Sequence, residues 1–358
     1  MPIMQKQKLM QPDKTGSRFI LKVTVAAIVL LCAMAVSSCL GSANIKIGDI
    51  VKFFTGREDE LSRTTLVILK RIRLPRVAMG ALVGGALAAV GAVMQGIFRN
   101  PMADPSVLGI SSGSALGAAI AIICGFDGAI VGGTFTGTYI GAMIGAAITW
   151  FMVFVIAQQT GEYDMNSTLL AGIAISSIMS ALITVLMTFH RANMDRIYLW
   201  MLGSLSNSSF SEVLTMLIAD AVCLTLLIIM APRIDVLKLG RETALTLGVK
   251  SSSTMGVVLC LSSILLACCV AATGIIGFVG LIIPHIVEFF GARKMREKLI
   301  LSFLVGAVFL VVCDTFAKTV VAPGEMAIGA LTSLIGAPYF LWLLMKNRIV
   351  RKGGKIRA

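Results

Sequence analysis

His190 and His285 are the only histidines in this chain of 358 residues, and with its eight cysteines they are the side chains best suited to nucleophilic or metal chemistry. A triad-type hydrolase needs a histidine beside a nucleophile and an acid, and a metal centre needs ligands at matched spacing. Neither pattern is present. The two histidines lie far apart, and Cys32, Cys39, Cys124, Cys223, Cys260, Cys268, Cys269 and Cys313 fall in or beside apolar runs without metal-type spacing. The GGK at 353–355 does not fit the phosphate-binding pattern G-x-x-x-x-G-K-[ST], so any ATP that drives this protein is hydrolysed on another chain. An enzyme is disfavoured, including a membrane metalloenzyme built from these histidines and some of the 20 methionines.

The chemistry that remains is that of charges and chain breaks set in an apolar background. The chain is 57% hydrophobic and 14% charged, with a mean hydropathy of +0.92, far from the balance of a soluble domain. Apolar runs near the ~20 residues needed to cross a bilayer recur at 19–40, 77–97, 107–124, 129–157, 168–188, 213–231, 255–273, 275–290, 299–317 and 327–345. They are apolar all round, unlike the alternating strands of a barrel, so the expected fold is an all-α integral membrane protein of ten transmembrane helices. Glycines 109, 113 and 117, and again 133, 137, 141 and 145, recur at a spacing that lets helix backbones approach closely. The VSSC ending at Cys39 faintly matches a lipoprotein cleavage site, but the hydrophobic segments that follow favour a retained first helix.

Three connections are not ordinary loops. FRNPMADPSVLGISSG, at 98–113, puts Pro101 and Pro105 between two apolar runs, ending one helix and delaying the next. The stretch 231–253 holds helix-forming residues closed by Gly248, which predicts a short amphipathic helix. The run at 275–290 carries glycines and Pro284 ahead of His285 and Glu288, which predicts a broken helix covered by protein or a water cavity.

The basic ends, with Lys6, Lys8, Lys14, Arg18 and Lys22 before the first run and Lys346, Arg348, Arg351, Lys352, Lys355 and Arg357 after the last, place both termini in the cytoplasm. Ten helices threaded from that start put most of the 31 basic residues inside. The first outer loop opposes this locally with Lys46, Lys52, Arg57, Arg63, Lys70, Arg71, Arg73 and Arg76. Such a basic patch suits an acidic docking partner, although a long loop also translocates whatever its charge. The resulting division is a basic N-terminal tail at 1–18, a ten-helix transmembrane domain at 19–345 with an external basic loop at 41–76 and a cytoplasmic loop at 232–254, and a basic tail at 346–358.

Six motifs then occur in order: RLPR at 73–76, GALAAVGAVMQGIFRNPMADPSVLGISSGSALG at 85–117, LLAG at 169–172, LGRETALTLGV at 239–249, GFVGLIIPH at 277–285 and IGALTSLIGAPYFLWLL at 328–344. Together, over 66–345, the chain resembles the FecCD-type permeases of the iron-siderophore, haem and vitamin B12 ABC importers. The resemblance implies a type II importer fold like that of the vitamin B12 permease, in a bacterial cytoplasmic membrane. It implies a second permease subunit, identical or not, two cytoplasmic ATPase subunits that carry ATP-Mg, and an external solute-binding protein. It implies no cofactor on this chain and no nucleic-acid partner.

By the same resemblance, Arg73, Arg76 and Lys318 dock the binding protein, with lysine standing where the family has a third arginine. Asn100 and Met102, with Asn166 and Ser167 from a segment that departs from the family, form a cytoplasmic gate. Gly240, Glu242, Ala244, Leu247 and Gly248 couple to the ATPase, while Arg241 stands where an acidic residue is common. The implied cargo is a bulky iron(III) complex, siderophore or haem. Cobalamin is the alternative, and a non-ABC channel or assembly protein is the competing class.

Overall fold

The computed structural model describes residues 14–41, 45–126, 128–131, 135–159, 165–321 and 324–354. Residues 1–13 and 355–358 of the two expected tails, residues 42–44 of the expected outer loop and residues 160–164 before the fifth run lie outside the described residues. Each apolar run contains a helix. In chain order these are α1 Lys14–Cys39, α2 Ile47–Phe54, α3 Arg63–Val67, α4 Leu74–Ile97, α5 Ile110–Ile123, α6 Gly137–Gln159, α7 Met165–Phe189, α8 Met194–Met201, α9 Phe210–Leu237, α10 Arg241–Thr246, α11 Ser251–Thr273, α12 Val279–Phe289, α13 Met295–Thr319 and α14 Ile328–Gly354. Among the described residues seven spans are long and apolar enough to cross a membrane, and three shorter apolar helices, Ile110–Ile123, Val279–Phe289 and Ile328–Leu343, accompany them.

Several boundaries differ from the sequence expectation. The basic stretch at 41–76 is not a plain loop: it holds α2, a short turn of helix at Glu58–Glu60 and α3, which joins α4 into one span, Arg63–Ile97. At 35 residues that span is about 52 Å long, well beyond the ~30 Å hydrocarbon thickness, so part of it must stand clear of the hydrocarbon. The join is a wide π-helical segment, Ile68–Arg73. Pro75 explains it, because its nitrogen has no hydrogen to donate to the carbonyl one turn earlier and its ring presses on that carbonyl.

The fourth run begins with a small antiparallel pair, β1 Ala129–Val131 and β2 Phe135–Thr136, and its helix starts only at Gly137. The C-terminal stretch expected as a tail continues α14 as far as Gly354. The broken eighth segment is as expected: α11 ends at Thr273, Gly274 and Phe278 take left-handed backbone, and α12 follows.

Helix α4 is the central post of the bundle. In its most apolar stretch 89% of the residues are buried, against none for α1 at the edge. It packs on α13, α12, α9, α11 and α1, while α5 and α6 form the other tight pair. Small residues make these approaches possible, since lipid tails are as apolar as leucine and association rests on close packing. A Cβ on Gly91 would overlap the backbone of Gly280 in α12, and one on Gly117 would overlap Gly141 in α6. Gly84 faces the carbonyl of Gly306 and lies so close to α13 that an added Cβ would sit 2.6 Å from the Leu310 Cβ.

Gly84→Ala is therefore expected to destabilise the detergent-solubilised protein by about 1–3 kcal/mol, the range for overpacking a filled core. Gly277→Ala, whose added Cβ would meet nothing within 4 Å, should change stability by less than ~0.5 kcal/mol. Equal thermal midpoints for the two variants would refute this account of the α4–α13 contact.

Candidate functional site

At one end of the bundle the three cations expected to dock a partner come together, and they point inward. Arg73, Arg76 and Lys318 are all buried, at 6%, 6% and 7% exposure. Arg73 Nη1 donates to the carbonyls of Ser38 and Leu40, both at 2.8 Å. Lys318 Nζ donates to the Ser37 carbonyl at 2.7 Å and to its hydroxyl oxygen at 3.0 Å. Ser37 and Ser38 lie in the last turn of α1 and Leu40 directly follows it, where carbonyls have no partner within the helix and carry the negative end of its dipole. Two cations thus close the C-terminus of α1.

Arg76 makes the strongest contact of the group. Its Nε reaches both carboxylate oxygens of Asp314 at 2.9 and 3.1 Å, Nη2 reaches Oδ1 at 2.9 Å, and Nη1 bonds Glu325 Oε1 at 2.7 Å. Asp314 also faces Lys318 at 3.8 Å. Arg76 therefore fastens α4 to α13 and to the segment leading into α14. Sequence reasoning missed Asp314 and Glu325 as partners. The available signal was Asp314 four residues before Lys318 in an apolar helix, where an acid calls for a paired cation. The exposed basic residues in the stretch before α4 are Lys46, Arg57, Arg63, Lys70 and Arg71.

The opposite end carries the other expected groups. Helix α4 finishes at Ile97 with Phe98 as its cap, and Asn100 donates its N–H back to the Gln95 carbonyl at 3.2 Å while its Oδ1 accepts from Met102 N at 3.0 Å. Asn100 is exposed and Met102 half-buried. Asp104 caps the turn Pro105–Leu108 through Ser106 N at 2.8 Å. That turn lies against α7, where the Val107 carbonyl fills the space a side chain at Gly172 would need. The loop after α4 and the start of α7 are joined in this way. Asn166 and Ser167 open α7; Ser167 is half-buried, and the side chain of Asn166 lies outside the described residues.

The expected amphipathic helix is α10. Gly240, at φ 117°, precedes it, and Gly248, at φ 76°, follows it. Gly248 N bonds the Leu245 carbonyl at 3.0 Å and Val249 N bonds the Ala244 carbonyl at 2.9 Å, the paired bonds by which glycine ends a helix. Ala244 is fully buried in the main core and roots the helix, while Glu242, Leu245 and Leu247 are exposed. Nearby, Lys298 Nζ links Glu288 at 2.9 Å to Gln95 at 3.3 Å, and the Gln95 amide donates to the Leu281 carbonyl at 3.1 Å. This network ties α12, α13 and α4 together and was not legible beforehand.

Removing Arg76 while keeping Asp314 would leave a buried carboxylate without its main partner. Arg76→Ala is expected to cost about 3–5 kcal/mol in unfolding experiments in detergent. Adding Asp314→Asn should recover part of that loss, whereas purely additive effects would argue against the pairing.

The chain and its helix bundle have known counterparts. Residues 28–346 match the model of the FecCD transport family. The hemin transport system permease protein HmuU of Yersinia pestis is 38% identical over 327 residues, covering 90% of this chain and 96% of that one. The cobalamin import system permease protein BtuC of Halobacterium salinarum is 40% identical over 294 residues, covering 80% and 76%. A metal-chelate type ABC transporter solved in an inward-facing conformation superposes with a TM-score of 0.80 at 29% identity, over 90% of this chain and 98% of that one. With relatives this similar over nearly its whole length, the chain belongs to the FecCD transport family, as a permease subunit of an ABC importer and not an enzyme.

Proposed function

We propose that this permease imports a metal held in a bulky organic chelate, haem or an iron(III) siderophore. The single observation that carries its ATP-driven part is α10: a glycine-bounded helix, anchored by Ala244, that presents Leu245 and Leu247 to solvent on a chain without a phosphate loop. Exposed leucines at 53% and 58% beside a buried anchor suit insertion into a groove of a partner, here an ATPase that binds ATP-Mg. Hemin and cobalamin named among its relatives support a metal chelate as cargo, with cobalamin as the second reading.

In this reading all ten apolar helices cross the membrane, both termini face the cytoplasm, and the chain binds no cofactor. Two permease chains, alike or not, stand on two ATPase subunits in a bacterial inner membrane. Gly240, Glu242, Ala244, Leu247 and Gly248 act as one coupling segment. Asn100 and Met102, with Asn166 and Ser167 opening α7, narrow the cytoplasmic exit; the Met102 thioether suits a constriction that must deform. At the other end Arg73, Arg76 and Lys318 shape the docking face for a solute-binding protein from beneath. The exposed Lys46, Arg57, Arg63, Lys70 and Arg71 supply the field that steers an acidic partner.

The deciding experiment is reconstitution with the cognate ATPase and binding protein and side-by-side uptake of haem, ferric siderophore and cobalamin. ATP-dependent accumulation of haem or siderophore is expected; transport of none by an assembled complex would overturn the assignment. Leu247→Ala is expected to weaken ATPase association about tenfold, roughly 1.4 kcal/mol, and unchanged binding in a pull-down would remove α10 from the contact. Reversing charge at Lys70 and Arg71 should slow binding-protein association several-fold at low salt without lowering the unfolding temperature.

A further inference from the structure

Among the described residues only Arg99 and Phe278 take left-handed backbone without being glycine, Arg99 at φ 48°. The bond from Asn100 N to the Gln95 carbonyl shows that Arg99 holds the position after α4 that glycine usually fills. A backbone strained in this way persists where its surroundings hold it, and such residues cluster at switches. What arginine adds over glycine at this position is its side chain.

That side chain reaches another helix end. Arg99 Nη2 donates to the carbonyl of Leu237, the last residue of α9, at 2.8 Å. The same turn of α9 bears Asp235, whose carboxylate accepts from Met295 N at 3.0 and 3.1 Å at the start of α13 and from Lys238 at 2.8 Å. Helix α10 begins at Arg241, just beyond that turn, and its Ala244 is packed in the same core as Leu237. The last turn of α9 is thus the meeting point of α10, α13 and the loop that carries Asn100 and Met102.

We infer that Arg99 is a positioning residue that carries displacement of α10 to the 98–104 loop. When the ATPase moves α10, the end of α9 moves with it. The guanidinium, bound to the negative end of that helix, draws the loop and Met102 along. This inference rests on the reading of α10 as the ATPase contact and of the loop as the exit constriction.

The test is hydrogen–deuterium exchange on the assembled permease–ATPase complex, with and without ATP and vanadate, for the unaltered protein and for Arg99→Gly and Arg99→Lys. Glycine accepts φ 48° freely, so Arg99→Gly removes the strut without adding strain. The expected result is that peptides covering 238–250 respond to nucleotide in all three proteins. The response of 98–104 falls at least fivefold in Arg99→Gly and is partly kept in Arg99→Lys. The ATPase rate stays within twofold, and the unfolding temperature of Arg99→Gly is not lowered. An Arg99→Gly loop that responds like the unaltered one overturns the inference, as does a lowered unfolding temperature with the response intact, which marks a merely structural tie. If 238–250 itself does not respond in the unaltered complex, the coupling role of α10 falls, and this proposal falls with it.

Discussion

A backbone carbonyl left without a partner in hydrocarbon costs several kcal/mol, and every helix ends with carbonyls that its own hydrogen bonds cannot satisfy. This chain meets that constraint with scarce charges placed at helix ends. Arg73 and Lys318 close α1, Arg99 reaches the last carbonyl of α9, and Lys22 Nζ bonds the Phe290 carbonyl beyond α12 at 2.7 Å. The opposite sign serves the opposite end: Asp235 accepts from the first N–H of α13, and Glu212 completes a capping box with Ser209 at the start of α9. Cations on C-termini and acids on N-termini follow the helix dipole. Each of the long-range bonds also ties one helix to another, so satisfying the backbone and assembling the bundle are the same act.

Helix α4 connects the two ends where this happens. Its 24 residues, Leu74–Ile97, span about 36 Å, with Arg76 paired to Asp314 near one end and Arg99 just beyond the other. Glycines at 84 and 91 let α13 and α12 approach until backbone meets backbone, so the post is clamped along its length. A rod held this tightly conveys displacement instead of absorbing it.

Much of this was legible in the residues themselves. Ten apolar runs each hold a helix, because period and length decide helix formation wherever lipid forbids an unpaired backbone. Pro101 and Pro105 end one helix and delay the next, and Gly248 ends α10 through the bonds that glycine permits. The basic stretch before Arg76 was harder to read. Its charges suggested a loop, but α2, α3 and the π-helical segment form there, since a helix reaching past the hydrocarbon can carry lysine and arginine on its wet face.

The sequence by itself determined the class of the protein, the helices and the glycine and proline breaks, because these depend on neighbours within a few residues and on the solvent. Only the tertiary structure decided what the charges do. Arg73, Arg76 and Lys318 were expected, by resemblance, to dock a binding protein. In three dimensions they are buried, because Ser37, Ser38, Asp314 and Glu325 arrive from 35 to 281 residues away to meet them. The role of Arg99 was hidden for the same reason: its partner is a carbonyl 138 residues distant, and a backbone carbonyl leaves no mark in an amino-acid sequence.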